Sequence, residues 1–301
     1  MRSGPSTRMA LKFGMHTAAT PRTISIGHTP DMDDAFMFFA MASGLVPMDG
    51  LRIEHVIEDI QTLNRRALNA ELDVTAISAA SYPQLSKDYW IMAVGSSIGQ
   101  GYGPVVISGK PHSPQELSGR RIAVPGLHTT AYLLLRLALP QFVPVELPFS
   151  QIPEAVLRGD VEAGLVIHEW QLTYRDAGLL PVLDLGAWWQ QQTKLPLPLG
   201  LNVVNKSLGR PLAQRATTLL RDSILYAFSH QEEAVAYALR YGRGIDVTRA
   251  RQFIGMYVNE DSLTLSKHCR EALHELFGRA RDAGLIPNAP RLSIISPAKP
   301  S

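Results

Sequence analysis

The sequence predicts an α/β protein of two similar lobes with a ligand cleft between them. Three observations predict it. Short β-rich runs alternate with helical stretches from Ile24 to about Leu183. One helix–turn–strand unit occurs twice, ending at Ser78 and at Ile167. After Asn205 the strand signals give way to a succession of helical stretches.

Taken in order, Ile24-Ser25-Ile26-Gly27 reads as a first strand and His28-Thr29-Pro30 as the turn after it. A helix then starts with Asp31, Asp33 and Asp34 in its first turn, where carboxylates favour the positive end of the dipole. Pro30 suits that start because its missing N–H would have had no partner there. Ala35 to Met41 is apolar on every side, so this helix is expected between two layers. Leu51 to Ile57 reads as a second strand, Ile60, Leu63, Ala67 and Leu68 fall at helical spacing, and Leu72 to Ser78 makes a third strand. Val105–Ile107 and Arg121–Val124 are further strands, and Thr130 to Leu139 is an apolar helix. Phe142 to Leu147 is extended, a helix at Ile152–Arg158 leads to the strand Val161–Ile167, and Leu180 to Leu183 is a short strand. Such alternation implies mostly parallel pairing covered on both faces. Pro211–Ser229, Glu232–Tyr241, Asp246–Tyr257 and Ser266–Ala283 read as helices that return to cap the first lobe.

The repeated unit locates the cleft. Leu68 to Ser78 matches Leu157 to Ile167 as helix end, tight turn, acidic–apolar–acidic triplet and apolar strand. The pairing sets Ser78 opposite Ile167, one step before His168. Ligands of open α/β sheets bind outside the carboxyl ends of the strands. Ser78 and His168 are therefore expected to face one shared cleft.

Bulk properties narrow the function classes. The chain has 301 residues, 46% of them apolar, enough for a large core. Lys and Arg total 29 against 27 Asp and Glu, with no basic run, which argues against nucleic acid as a partner. The single Cys269 excludes an internal disulfide framework and a multi-cysteine metal site, and reads as a partly buried thiol. Met1 to Arg22 has no apolar core of the kind a secretory signal needs, and no later run suits a membrane span. The expectation is a cytoplasmic protein with a disordered extension over residues 1–23 and no membrane partner. No feature of the sequence fixes an oligomeric state.

Candidate chemistry gathers at two strand ends. Gly126-Leu127-His128-Thr129-Thr130-Ala131-Tyr132 follows one strand and opens a helix, whose first N–H groups form a ready anion site. Thr129 and Thr130 can cap the helix, but capping needs one hydroxyl, so a ligand role is favoured for this pair. His128 either contacts ligand or only shapes the turn. His168 ends the other strand, where a neutral imidazole can act as a general base. Position 172 is Leu, not the second His of a zinc-protease motif. Glu169 either orients His168 or is surface. First-turn electrostatics explains Asp31, Asp33 and Asp34 without a metal, and Trp188 and Trp189 read as packing. There is no phosphate loop, dinucleotide fingerprint or nucleophile elbow, so no cofactor is called for.

Four stretches together resemble one family. They are Val124-Pro125-Gly126-Leu127-His128-Thr129-Thr130-Ala131-Tyr132, Gly164-Leu165-Val166-Ile167-His168-Glu169, Asp184-Leu185-Gly186-Ala187-Trp188-Trp189 and Leu195-Pro196-Leu197-Pro198-Leu199-Gly200. In this order they are similar to the 1,4-dihydroxy-6-naphthoate synthases of the futalosine route to menaquinone. The resemblance runs from about Ile24 to the C-terminal helices. It implies a two-lobed, periplasmic-binding-protein-like fold with mixed sheets flanked by helices. It also implies a cytoplasmic lyase acting on cyclic dehypoxanthine futalosine, a small anionic substrate.

The family's proton-accepting His falls on His168. Its substrate-contacting Ser falls on Ser78, at the end of Ala76-Ile77-Ser78, and its contacting Thr-Ala pair on Thr130 and Ala131, next to Thr129. The chain departs from the family where a Ser-Pro-Cys-Pro-Asn-Asp-Thr-Phe-like stretch is usual. Here Thr29-Pro30-Asp31-Met32-Asp33-Asp34-Ala35-Phe36 keeps Pro30, Asp34 and Phe36. Ala76 also stands where a Lys can occur. The lobes are expected to comprise residues 24–107 with 202–301, and 108–201, with crossovers near Ser108 and Leu201. Two other readings stay open: a non-catalytic protein that captures a small carboxylate, and a sister enzyme on a related substrate.

Overall fold

A computed structural model describes residues 22–48 and 50–298. The chain begins with β1 (Arg22–His28), α1 (Met32–Ala42), β2 (Leu51–Ile57), α2 (Ile60–Leu68), β3 (Val74–Ser78), a short α3 (Tyr82–Leu85), β4 (Tyr89–Met92) and β5 (Ser97–Gly99). It then crosses to β6 (Val105–Ser108), β7 (Arg121–Val124), α4 (Thr130–Ala138), β8 (Val143–Glu146), α5 (Ile152–Leu157), β9 (Ala163–Val166), α6 (Trp170–Thr173), β10 (Leu180–Asp184) and α7 (Leu185–Thr193). It returns through β11 (Leu197–Asn205) to α8 (Arg210–Ser229), α9 (Gln231–Ala238), α10 (Val247–Tyr257), α11 (Glu260–Leu263), α12 (Lys267–Asp282) and β12 (Ile294–Ile295).

Two sheets result, ordered β12-β4-β11-β3-β1-β2, with β5 also on β11, and β10-β6-β9-β7-β8. Both are mixed. β1 runs parallel to β2 and β3, and β7 parallel to β8 and β9. β6 is antiparallel to β9, and β11 to β3. The mostly parallel pairing expected from the alternation therefore fails at the first strand after each crossover. The parallel strands end at the cleft, so a strand arriving from the other sheet starts there and runs the opposite way.

Sheet membership also corrects the expected boundaries. Val105–Ile107 pairs with β9 and β10, so this segment belongs to the second sheet. Leu197–Leu201 pairs with β3 and β5, so it belongs to the first. Pro196, Pro198 and Gly200 are unfavourable in a strand, because proline cannot donate to a ladder. The structure accommodates Pro198 at a register shift between Pro198 and Gly200. Arg22 and Thr23, expected in the N-terminal extension, open β1: they pair with Leu51 and Arg52 of β2. The partner strand, which no local pattern reveals, sets where β1 begins. Residues 1–21, the rest of that expected extension, lie outside the described residues.

Burial explains the layers. Met32 to Met41 is buried throughout, with α8, α9 and α10 packed on α1. Ser223 of α8 donates to the Met37 carbonyl at 2.7 Å and accepts from the Met41 N–H at 3.1 Å. These bonds tie the C-terminal helices to the first sheet. A second core runs from Ile77 and Ile98 of the first sheet to Ile122 and Leu165 of the second, through Leu134 of α4 and Trp189 of α7. Trp189 is fully buried and its Nε1 donates to the Pro196 carbonyl at 2.9 Å, a packing role. Cys269 is likewise a buried thiol.

Helix α7 meets the first crossover at Gly186. A Cβ there would lie 2.0 Å from the Tyr102 carbonyl carbon and 2.3 Å from the Gly103 nitrogen. These are backbone atoms, so a methyl group forces the crossover to move. Gly186→Ala is expected to destabilise the protein by about 1–3 kcal/mol. Thermal denaturation checks it, and an unchanged melting temperature would show that the crossover yields freely.

Candidate active site

The carboxyl ends of β3 and β9 and the start of α4 line a cleft that opens to solvent. Ala76, Ile77, Ser78, Thr129, Thr130, Ala131 and His168 all line it. Ser78 closes β3, and His168 stands two residues beyond β9. The structure thus brings the two ends of the repeated unit into one cavity.

The α4 corner differs in detail from expectation. Thr129 is the N-cap: its hydroxyl accepts from the Tyr132 N–H at 3.1 Å and donates to the Gly126 carbonyl at 2.8 Å. The Thr130 hydroxyl donates to the Leu199 carbonyl at 2.7 Å and accepts from the Ala80 N–H at 3.1 Å. Both hydroxyls are therefore committed to the protein. The remaining donors are the first backbone N–H groups of α4, on Thr130 and Ala131, which have no intrahelical acceptor.

Ser78 is held by Asn64, which donates to its hydroxyl at 3.1 Å and accepts from its N–H at 2.8 Å. His128 shapes the turn through its backbone. Its N–H donates to Gln61 at 3.1 Å, and its carbonyl accepts from Ser81 at 2.9 Å. Gly126 has φ +147°, and an added Cβ would lie 2.4 Å from Gln61 Oε1, so only glycine passes there.

His168 has φ +56°, a left-handed conformation that costs a non-glycine residue energy and marks functional sites when the surroundings enforce it. Its Nδ1 lies 3.2 Å from Asp31 Oδ2, and its ring is set steeply against that of Phe149 with the centres 4.8 Å apart. With Gln171 in the amide orientation that satisfies both its ends, its nitrogen donates to the Gly103 carbonyl at 2.6 Å. Its oxygen then accepts from the His168 N–H at 3.3 Å. This leaves Nε2 as the ring nitrogen for a ligand. Glu169 is buried and turns its carboxylate to Arg243. It accepts from Arg243 Nη1 at 2.9 Å.

The three aspartates do more than complement a helix dipole. Asp31 holds the N-cap position but makes no capping bond; it faces His168 and Arg243 instead. Asp34 accepts from both the N–H and the hydroxyl of Thr29 at 2.7 Å. Asp33 lines the cleft, accepts from Ser97 at 3.2 Å through Oδ2, and leaves Oδ1 buried without a partner. Burial, with Asp34 and Asp31 adding to it, pushes the Asp33 carboxyl up to about 7. Burial also raises Asp34 to about 6, against the Thr29 bonds. The three carboxylates turn to separate partners instead of converging on one point.

Arg243, Gln171, Asn202, Ser97 and Tyr257 were not legible as site residues. Only Gly242-Arg243-Gly244, a basic residue between two turn formers, carried a local signal.

A family model described as menaquinone biosynthesis matches residues 24–282. A 1,4-dihydroxy-6-naphthoate synthase from Thermus thermophilus is 40% identical over 268 residues, covering 89% of this chain and 97% of that one. The chain belongs to the menaquinone biosynthesis family. A second such synthase, from Streptomyces coelicolor, is 36% identical over 271 residues, 88% of this chain and 95% of the relative. A crystal structure of an Archaeoglobus fulgidus protein superposes with a TM-score of 0.85 at 50% identity, over 90% of this chain and all of that one. The alkanesulfonate-binding protein of Xanthomonas axonopodis superposes at 0.68 with 13% identity, over 92% and 99% of the two chains, and shows the shared periplasmic-binding-protein-like fold alone. This menaquinone biosynthesis family member thus keeps a binding-protein architecture around its cleft. Among its described residues no helix is long and apolar enough to cross a membrane.

Proposed function

We propose that this protein is a cytoplasmic carbon–carbon lyase that converts cyclic dehypoxanthine futalosine to 1,4-dihydroxy-6-naphthoate. Its two curated relatives carry that synthase name. The observation that carries the mechanism is His168, held in a left-handed conformation at the cleft with Asp31 behind Nδ1.

In this reading the substrate carboxylate sits on the free N–H groups of Thr130 and Ala131, beside Ser78. His168 Nε2 takes the proton next to a substrate carbonyl, and the electron pair left behind passes into that carbonyl. As the carbonyl re-forms, the electron pair of the enolate expels the group on the adjacent carbon, which leaves with the proton held by His168, and this cleavage leads on to the naphthoate. Asp31 keeps the Nδ1 side of the imidazole occupied and stabilises the imidazolium. Ala76, Ile77 and Thr129 shape the wall against which the substrate packs. Closing the cleft excludes water from the enolate. The chemistry needs proton transfer alone and calls for no cofactor.

Incubating the purified protein with cyclic dehypoxanthine futalosine, wild type beside His168→Ala, tests the reading. Naphthoate from the wild type alone is the expected result. Binding without turnover in either would make the protein a small-carboxylate carrier, and absence of binding would point to a sister substrate.

A further inference from the structure

Arg243 lies outside the family stretches, in a glycine-flanked loop after α9, with φ +44°. It is held at four points. Nη1 donates to Asp31 Oδ1 at 3.2 Å and to Glu169 Oε1 at 2.9 Å, and Nη2 donates to the Pro30 carbonyl at 3.1 Å. Its guanidinium carbon stands 4.6 Å from the centre of the Phe149 ring. That ring is itself the edge-on neighbour of His168.

These partners divide between the two sides of the cleft. Pro30 and Asp31 lead into α1, which packs against the C-terminal helices on the first sheet. Phe149, His168 and Glu169 flank α5 and β9 of the second. The Asp31 and Glu169 side chains are only 1% and 7% exposed. Two such carboxylates, brought together without a cation, would be uncompensated buried charges that drive the sides apart. A planar guanidinium bonds both carboxylates while its flat face lies on the Phe149 ring, a fork and a stacking face that an ammonium lacks.

We propose that Arg243 is a positioning residue: an inter-lobe latch that holds Asp31 against Nδ1 of His168, so that the imidazole is oriented only when the cleft is shut. This rests on the reading of His168 as the base. It also gives a role to Asp31, which stands at an N-cap but makes no capping bond. The same carboxylate answers His168 through Oδ2 and Arg243 through Oδ1. Arg243 touches no atom of the substrate in this scheme and acts through Asp31.

The test reads orientation and turnover separately. An imidazole N–H facing a buried carboxylate gives a far-downfield proton resonance, which His168→Gln assigns by its loss. Wild type is expected to show it, and Asp31→Asn and Arg243→Ala to lose it while thermal melting shows both still folded. Small-angle scattering of Arg243→Ala is expected to give a larger radius of gyration than wild type. With cyclic dehypoxanthine futalosine, Arg243→Ala should lower kcat roughly 10²-fold with KM within a few-fold, the pattern of misplacement at the reacting centre. Should the alanine variant not fold, Arg243→Lys is read in the same way, since lysine keeps the charge but not the fork. A resonance that survives in the folded Arg243 variant, or an unchanged kcat in an active enzyme, overturns the latch. No turnover by wild type, with the resonance and scattering changing as stated, removes the proposed reaction and leaves the latch standing.

Discussion

Replacing His168 with alanine is expected to lower kcat by about 10²–10⁴-fold, the usual contribution of a positioned general base, while substrate affinity changes only a few-fold. Single-turnover measurements with naphthoate detection separate the two. A variant that stays within tenfold of wild type would sink the assignment. The backbone supplies a second readout. At φ +56° every side chain except glycine is strained, by about 1–2 kcal/mol in the left-handed region. His168→Gly should therefore be about as inactive as His168→Ala yet more stable by about 1 kcal/mol, seen as a higher melting temperature. The strain persists because Asp31, Gln171 and Phe149 hold the residue from three sides. Stability that glycine recovers and alanine does not is what backbone strain at this position predicts.

The second large effect is on stability. Asp33→Asn is expected to stabilise the protein at pH 8, with a gain that shrinks toward pH 5. The folded carboxyl is pushed up to about 7 by burial, with Asp34 and Asp31 adding and His168 opposing. The unfolded one titrates near 4. The folded state therefore binds the proton more tightly. Its contribution is fully present below about pH 4 and is lost as pH rises through 7. At pH 8 the folded wild type holds an uncompensated buried charge that asparagine does not have. The difference in unfolding free energy between variant and wild type should be larger at pH 8 than at pH 5 by on the order of 2 kcal/mol. His28 works in the opposite sense. Burial first, then His55, lowers it to about 4, so its contribution is lost as pH falls through 6.5 toward 4. The pH curve of wild type alone thus mixes the two, whereas the difference from Asp33→Asn isolates one. Denaturant unfolding at the two pH values decides, and an equal gain at both would mean that Asp33 is ionised throughout.

Much of the site was legible because its signals are local. The repeat ending at Ser78 and Ile167 follows from strand periodicity, and strands that end together present their next residues to one cavity. Thr129 and the residues after it follow a strand and open a helix, so their place at an anion-binding terminus could be read directly. Their chemistry could not. Each hydroxyl has its own acceptor, Gly126 for Thr129 and Leu199 for Thr130, and Leu199 lies on a strand of the other sheet. The three aspartates were misread for the same kind of reason. Helix electrostatics explains carboxylates in a first turn, and nothing nearby in sequence announces that Arg243 reaches Asp31 from 212 residues away.

By itself, the sequence determined the alternation of strands and helices, the buried α1 and the strand ends that carry Ser78 and His168. Those depend on periodicity, chain stiffness and local capping, which act over a few residues. Only the tertiary structure decided that β6 and β11 run against their neighbours, where the lobes exchange the chain, and that Asp31 and Arg243 surround His168. Those depend on which distant groups are buried together, where removal from water makes an unpaired charge costly and so selects its partner. His168 could be placed from the sequence at the end of a strand; the shape of its ring pocket, and the strain in its backbone, belong to the fold.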